Sequence, residues 1–236
     1  MKTFLTIAVV AAALAAAPAS AVTYDAFTSF NGTQGAGNFT YGLFNGVSTF
    51  TPFTATTNCF ITGSVCLQLA ADNNVPGITK SATTSLQYGS VNVPNDRLLL
   101  HPGPNNGQAV YAEFTATTAG LYSLTGNFSV RDVNPSGVDV LFFLRTGGTL
   151  NFTNAIGTLN AGNLSINYAN GGPLGIGDSV GIIFDKGAVY YNDSTGMNLT
   201  LQTVGSAVPE PGTWALMIAG FGMIGFAARR KAVLVA

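Results

Sequence analysis

The chain has 236 residues, of which 47% are hydrophobic and only 8% charged, with 29 glycines and two cysteines. So little Lys and Glu argues against a cytosolic helical enzyme and against a disordered acidic tail. Between positions 22 and 208, five basic and nine acidic residues leave a net charge of about −4, with no basic stripe for nucleic acid.

Lys2 gives the N-terminus a positive start, and residues 4–17 are uncharged and, apart from Thr6, apolar. Ala19-Ser20-Ala21 then satisfies the small-x-small cleavage pattern, so residues 1–21 are expected to be a signal peptide and the mature chain to begin at Val22. Cys59 and Cys66 are the two cysteines. In an exported chain this spacing suits a disulfide closing a short loop over Ile61-Thr62-Gly63-Ser64, contributing about 2–3 kcal/mol. A metal pair is the weaker reading, because His101 is the sole histidine and no second Cys/His pair exists.

From 22 to 206 the sequence shows short alternating runs separated by Gly, Asn, Pro and Thr, and no long segment of helical period. Val110, Ala112 and Phe114 alternate with Tyr111 and Glu113. Tyr122, Leu124, Phe128 and Val130 alternate with Ser123, Thr125, Asn127 and Ser129. Residues 138–144 are more continuously apolar, as a central strand would be, and residues 180–184 and 197–201 follow turn signals. The expected fold is all-β, an antiparallel β-sandwich of jelly-roll type filling residues 22–206.

Little in this body is suited to catalysis. His101 ends the apolar run Leu98-Leu99-Leu100 with no nucleophile beside it, which reads as a strand end. Glu113, Asp139 and Asp185 are carboxylates of the type glycoside hydrolysis needs, but nothing in the sequence pairs them. No enzyme activity and no cofactor are expected. Ca2+ is the ion that the loop oxygens of Asp132, Asn134 and Asp193 would suit, although turn-stabilising Asx hydrogen bonds explain the same residues. Tyr190, Tyr191, Asn192 and Asp193 make the best single patch for a glycan, with aromatic faces for sugar rings and polar groups for hydroxyls; core packing is the competing account of the tyrosines. Seven Asn-x-Ser/Thr triplets reflect a chain rich in Asn and Thr.

The tail carries the strongest signal. Pro209-Glu210-Pro211 is followed by Gly212-Thr213-Trp214-Ala215, then an uncharged run to Ala228 and the cluster Arg229-Arg230-Lys231. Two prolines around Glu210 lack donors and favour extended backbone, so this strip should stay out of helix and sheet. The 18 residues of 211–228 would make a helix roughly 27 Å long, enough to cross a hydrocarbon core of about 30 Å with slight thinning. A single transmembrane helix is expected over about 212–228, with Trp214 at one interface and the basic cluster as a cytoplasmic stop. Gly220-Phe221-Gly222-Met223-Ile224-Gly225 matches a dinucleotide fingerprint by accident, since no βαβ unit can follow it.

In this order of parts, residues 208–232 resemble the PEP-CTERM family, in the variant with Trp-Ala two residues after the second proline. The resemblance implies a bacterial protein exported through the inner membrane, anchored there transiently, and cut by an exosortase that recognises Pro209, Glu210 and Pro211. Residues 207–236 would then be the sorting signal. More loosely, residues 115–201 resemble a module of PEP-CTERM and carbohydrate-binding exoproteins. Its landmarks are Ala119-Gly120-Leu121-Tyr122, Gly137-Val138-Asp139-Val140, Gly177-Asp178-Ser179-Val180 and Tyr190-Tyr191-Asn192-Asp193. The expected role is a surface or matrix protein associated with exopolysaccharide, at the cell surface or outside the cell. A carbohydrate-active enzyme and a purely structural adhesin are the alternatives on the same scaffold.

Overall fold

Alternation of apolar and polar residues becomes, in the computed structural model, a set of strands paired antiparallel throughout. The structure describes residues 21–57, 59, 61–70, 73–81, 84–204 and 217–223. They fall into two units, one covering 21–204 and one containing the tail. In the first unit the strands are β1 (Thr23–Asp25), β2 (Phe39–Phe44), β3 (Phe50–Pro52), β4 (Ser64–Ala70), β5 (Asn73–Ser81), β6 (Leu86–Tyr88), β7 (Val91–Val93) and β8 (Leu98–His101). They continue with β9 (Ala109–Thr115), β10 (Gly120–Val130), β11 (Val138–Thr146), β12 (Thr149–Leu159), β13 (Ser165–Leu174), β14 (Ser179–Asp185) and β15 (Thr195–Val204). One helical turn, α1 (Ala26–Ser29), follows β1, with Asp25 accepting from the Thr28 amide at 2.7 Å as its N-cap.

The strands expected from the sequence are β9, β10, β11, β14 and β15, together with β8, whose end His101 forms. A seven-stranded sheet runs β13-β10-β15-β8-β5-β4, with β1 also on β15, and a six-stranded sheet runs β12-β11-β14-β9-β2-β3. β15 is paired on both edges: β10 lies along one, while β1 and β8 share the other, at Thr200–Gln202 and Thr195–Met197. A separate hairpin joins β6 and β7.

The sheets pack face to face as a sandwich. Phe128 on β10 meets Phe184 on β14 with ring centres 5.4 Å apart, and Tyr122 on β10 meets Phe114 on β9 at 5.7 Å. Leu98, Leu100, Met197, Leu199 and Leu201 from one sheet and Val110, Ala112, Val140 and Ile182 from the other are buried in the same core. A second apolar cluster lies on the outer face of the six-stranded sheet, where Phe44, Tyr111, Phe143 and Ile183 are buried with Phe50 against them. Gly42 permits this: a Cβ there would lie 2.1 Å from the Thr51 carbonyl, so only glycine lets β3 approach so closely. Cys59 and Cys66 are joined by a disulfide.

In the second unit, residues 217–223 are helical, with Met217, Ile218, Phe221 and Met223 exposed. Among the described residues no helix is long and apolar enough to cross a membrane. Residues 1–20 of the expected signal peptide, and Pro209, Glu210, Pro211, Trp214, Ala215, Arg229, Arg230 and Lys231 of the sorting signal, lie outside the described residues.

Candidate functional site

Where β8 ends and β15 begins, the sandwich opens into a cleft of about 400 Å³. Segments distant in sequence form its walls. His101 closes β8. Tyr88 and Ser90 come from the β6–β7 hairpin. Asp132 follows β10, and Tyr190, Tyr191, Asn192 and Ser194 precede β15.

The two neighbouring tyrosines are the cleft's aromatic element. Their ring centres are 4.3 Å apart at 35°, and Tyr191 is 62% exposed. Tyr190 also faces His101 edge-on, ring centres 6.3 Å apart, and a hydrogen bond with Tyr191 raises its phenol above the ordinary value. His101 is held by its own chain: Nδ1 lies 2.7 Å from the Pro102 carbonyl. A carbonyl only accepts, so Nδ1 carries the proton and neutral His101 keeps a lone pair on Nε2. Burial lowers its basicity below the usual histidine range, which favours that neutral form.

Asp132 ties the walls together. Ser90 donates to its Oδ1 at 2.7 Å and Ser194 to its Oδ2 at 3.3 Å. The Arg131 amide adds a backbone bond to the Ser194 carbonyl at 2.8 Å. Asn192 adopts a left-handed backbone, φ 60°, and its Nδ2 donates to the Asn134 carbonyl at 3.3 Å.

The residues singled out in the sequence have distinct places. Tyr190, Tyr191 and Asn192 line the cleft with Asp132. Asp193 does not line it: the turn at Asn192 sends this side chain inward, leaving it 1% exposed, where Ser136 Oγ donates to Oδ1 at 2.6 Å. Its Oδ2 is buried without a hydrogen-bond partner, and burial pushes its pKa up to about 6. The calcium candidates are engaged elsewhere: Asp132 and Asp193 accept from serines, and the Asn134 carbonyl accepts from Asn192. Among the described residues no three His, Cys, Asp or Glu side chains gather into a metal-holding group. Of the carboxylates considered for hydrolysis, Glu113 is buried in an ion pair with Arg145 Nη1 at 2.7 Å. Asp139 and Asp185 are cross-strand partners on β11 and β14, away from the cleft. Tyr88, Ser90 and His101 were not expected beside the tyrosines, because only tertiary folding brings them to Tyr190.

The folded unit is an all-β, sandwich-like domain carrying an aromatic and polar cleft. The chain also carries the PEP-CTERM protein-sorting motif, matched over residues 207–231, which marks it for export and membrane-linked sorting by a partner of the exosortase kind. No curated protein is significantly similar to it. Among solved structures it is similar to a family 35 carbohydrate binding module from Clostridium thermocellum, at 13% identity and a TM-score of 0.32, covering 78% of this chain and 98% of that one. It is also similar to a family 29 carbohydrate binding module (12% identity, TM-score 0.31, 72% and 91% covered). PRD1 vertex protein P5 is a third such structure (13%, 0.34, 80% and 100%). At these scores the likenesses transfer no ligand or activity.

Proposed function

We propose that this protein is exported, anchored briefly by a helix over about 212–228, and released when an exosortase cuts near Pro209-Glu210-Pro211. It then serves at the cell surface or in the matrix by holding exopolysaccharide in the cleft. One observation supports the ligand class: two adjacent tyrosines, one largely exposed, share a cleft with Asn192, His101 and Asp132. Sugar rings present apolar C–H faces to aromatic rings and hydroxyls to amide, imidazole and carboxylate groups. A stack on Tyr191 with hydrogen bonds to Asn192 and to Nε2 of His101 uses both.

The test is calorimetric titration of the protein purified from culture medium with the purified exopolysaccharide of its host and oligosaccharides made from it. Saturable binding is expected, weakened about tenfold in Tyr191→Ala, as loss of one aromatic contact near 1.4 kcal/mol implies. Absence of binding by the secreted protein overturns the reading. Release of reducing ends during the titration replaces it with the carbohydrate-active enzyme.

A further inference from the structure

The outer face of the seven-stranded sheet is organised in a way that solvation alone does not require. Asn127 on β10 is in direct register with Asn167 on β13 and with Asn198 on β15, forming one row of three amides across adjacent strands. The next row is Ala169, Thr125 and Thr200, and the row on the other side is Ser165, Ser129 and Gly196. Strands lie about 4.8 Å apart and same-face residues about 6.8 Å apart along each strand, so hydrogen-bonding groups repeat on a regular grid. Thr125, Asn127, Asn167, Asn198 and Thr200 border a shallow depression of about 340 Å³ on this face.

The amides are oriented. Arg97 Nη1 donates to Asn127 Oδ1 at 2.8 Å and to Ser129 Oγ at 3.2 Å. A guanidinium cannot accept, so the Asn127 oxygen must face it and Nδ2 must point the other way, where it donates to Asn167 Oδ1 at 2.7 Å. Asn127 and Asn167 are thereby oriented before any ligand arrives, which lowers the entropic cost of binding.

At one end of this grid sits an unbalanced charge. Gly196 has no Cβ, and one would lie 2.6 Å from Arg131 Nε and 2.7 Å from Arg97 Cδ, so both arginines lie across the sheet at this glycine. Asp96 pairs with Arg97 at 2.9 Å. The other ion pair among the described residues, Arg145–Glu113, is on the opposite sheet. Arg131 Nε is buried without a hydrogen-bond partner, and burial together with Arg97 depresses the guanidinium's basicity. An arginine stays charged even so, and an anion beside it would relieve the repulsion between the two guanidinium groups.

We propose that this face is a second glycan surface, separate from the cleft, that takes a carboxylate-bearing polysaccharide of the polyuronate class. Arg131 receives a uronate carboxylate while Asn127, Asn167, Asn198, Thr125 and Thr200 meet the hydroxyls. The proposal adopts from the proposed function only that the protein works among extracellular polysaccharides.

Native affinity electrophoresis of the secreted protein in gels containing alginate or an equal mass of dextran tests it. Retardation by alginate and not by dextran is expected, and it should fall as NaCl is raised, because exposed charge pairs are screened. Arg131→Gln should weaken alginate binding about tenfold, the scale of one charge-assisted pair. Asn198→Asp, which adds a negative charge without touching the core, should weaken it several-fold and serves as the control should Arg131→Gln fold poorly. Tyr191→Ala should leave alginate retardation unchanged. If alginate does not retard the wild type, if Asn198→Asp binds as well as wild type, or if Tyr191→Ala abolishes the effect, the proposal is wrong. Loss of host exopolysaccharide binding in Tyr191→Ala with alginate binding intact removes the cleft's share alone.

Discussion

The amide of Thr203 donates to the carbonyl of Val22 at 2.9 Å, and the amide of Val22 donates to the Thr203 hydroxyl at 2.8 Å. The first residue expected after signal cleavage is thus fastened to the last strand before the sorting motif. β15 is also interior to its sheet, with partners along both edges, and buries Met197, Leu199 and Leu201 completely. Losing three such side chains, at about 2–5 kcal/mol each, exceeds a typical stability of about 5–15 kcal/mol at its lower end and consumes much of it at its upper end. A chain ending at Val204 should therefore keep a cooperative thermal transition and near-ultraviolet circular dichroism, while one ending at Ser194 should lose both.

Glu113 is 3% exposed and receives Arg145 Nη1 at 2.7 and 3.0 Å, with the guanidinium over the Phe50 ring at 4.7 Å. Removing one partner strands a buried charge. Arg145→Met should cost about 3–5 kcal/mol, whereas Arg145→Met with Glu113→Leu should recover most of that loss. Chemical denaturation of the wild type, Arg145→Met, Glu113→Leu and the double variant measures it. Near-additive losses in the pair would show that the buried charges do not depend on each other.

The alternation that identified β9, β10, β11, β14 and β15 was legible because those strands face the shared core. β12 and β13 were not, because they are the outer strands of the two sheets and much of Thr149–Leu159 and Ser165–Leu174 faces solvent. Residues such as Asn167, Asn170, Gly171 and Gly172 read as turn chemistry there, though they lie in an extended edge strand. The Asn-x-Ser/Thr triplets gain an explanation too: Asn127-Phe128-Ser129 and Asn198-Leu199-Thr200 are outward-inward-outward units of two adjacent strands. For the cleft, local clustering revealed Tyr190 to Asn192, but His101 and Ser90 arrive by long-range pairing that leaves no mark in the sequence. Asp193 is buried away from the patch it adjoins in sequence, and the left-handed turn at Asn192 beside it is held by the Asn134 carbonyl of another loop.

Asp132 joins the β6–β7 hairpin to the β15 approach through Ser90 and Ser194. Asp132→Ala should cost about 1–3 kcal/mol, as loss of hydrogen bonds to a charged acceptor does. Amide exchange should quicken selectively over residues 86–93, with β9 and β14 unaffected. Uniformly faster exchange would mean that Asp132 supports the whole sandwich and not one wall of the cleft.

Sorting should depend on Pro209-Glu210-Pro211. In a host with its exosortase, Pro211→Ala and Glu210→Gln are expected to leave the full tail attached, and intact mass of the exported protein should rise accordingly. The native product should begin near Val22 and end close to Pro209. A secreted native form that still contains Trp214 to Lys231 would show that the motif is not cut.

Asp193 gives the fold a specific pH response. Its carboxyl is held up to about 6 by burial, above the ordinary value of 3.8, so the protonated form is favoured in the folded state. That contribution is complete below pH 3.8 and is lost as pH rises through about 6. Two pKa units correspond to roughly 2–3 kcal/mol at most, reduced by whatever solvent reaches the loop. Asp193→Asn keeps an acceptor for Ser136 and cannot ionise, so its melting temperature should gain on the wild type between pH 4 and 7 and then hold a constant difference. His101 acts with the opposite sign, since its depressed basicity removes stability as the pH falls below the usual histidine range. It is present in both proteins and cancels from the comparison. A difference that does not change between pH 4 and 7 would mean that Asp193 ionises as freely in the folded chain as in the unfolded one.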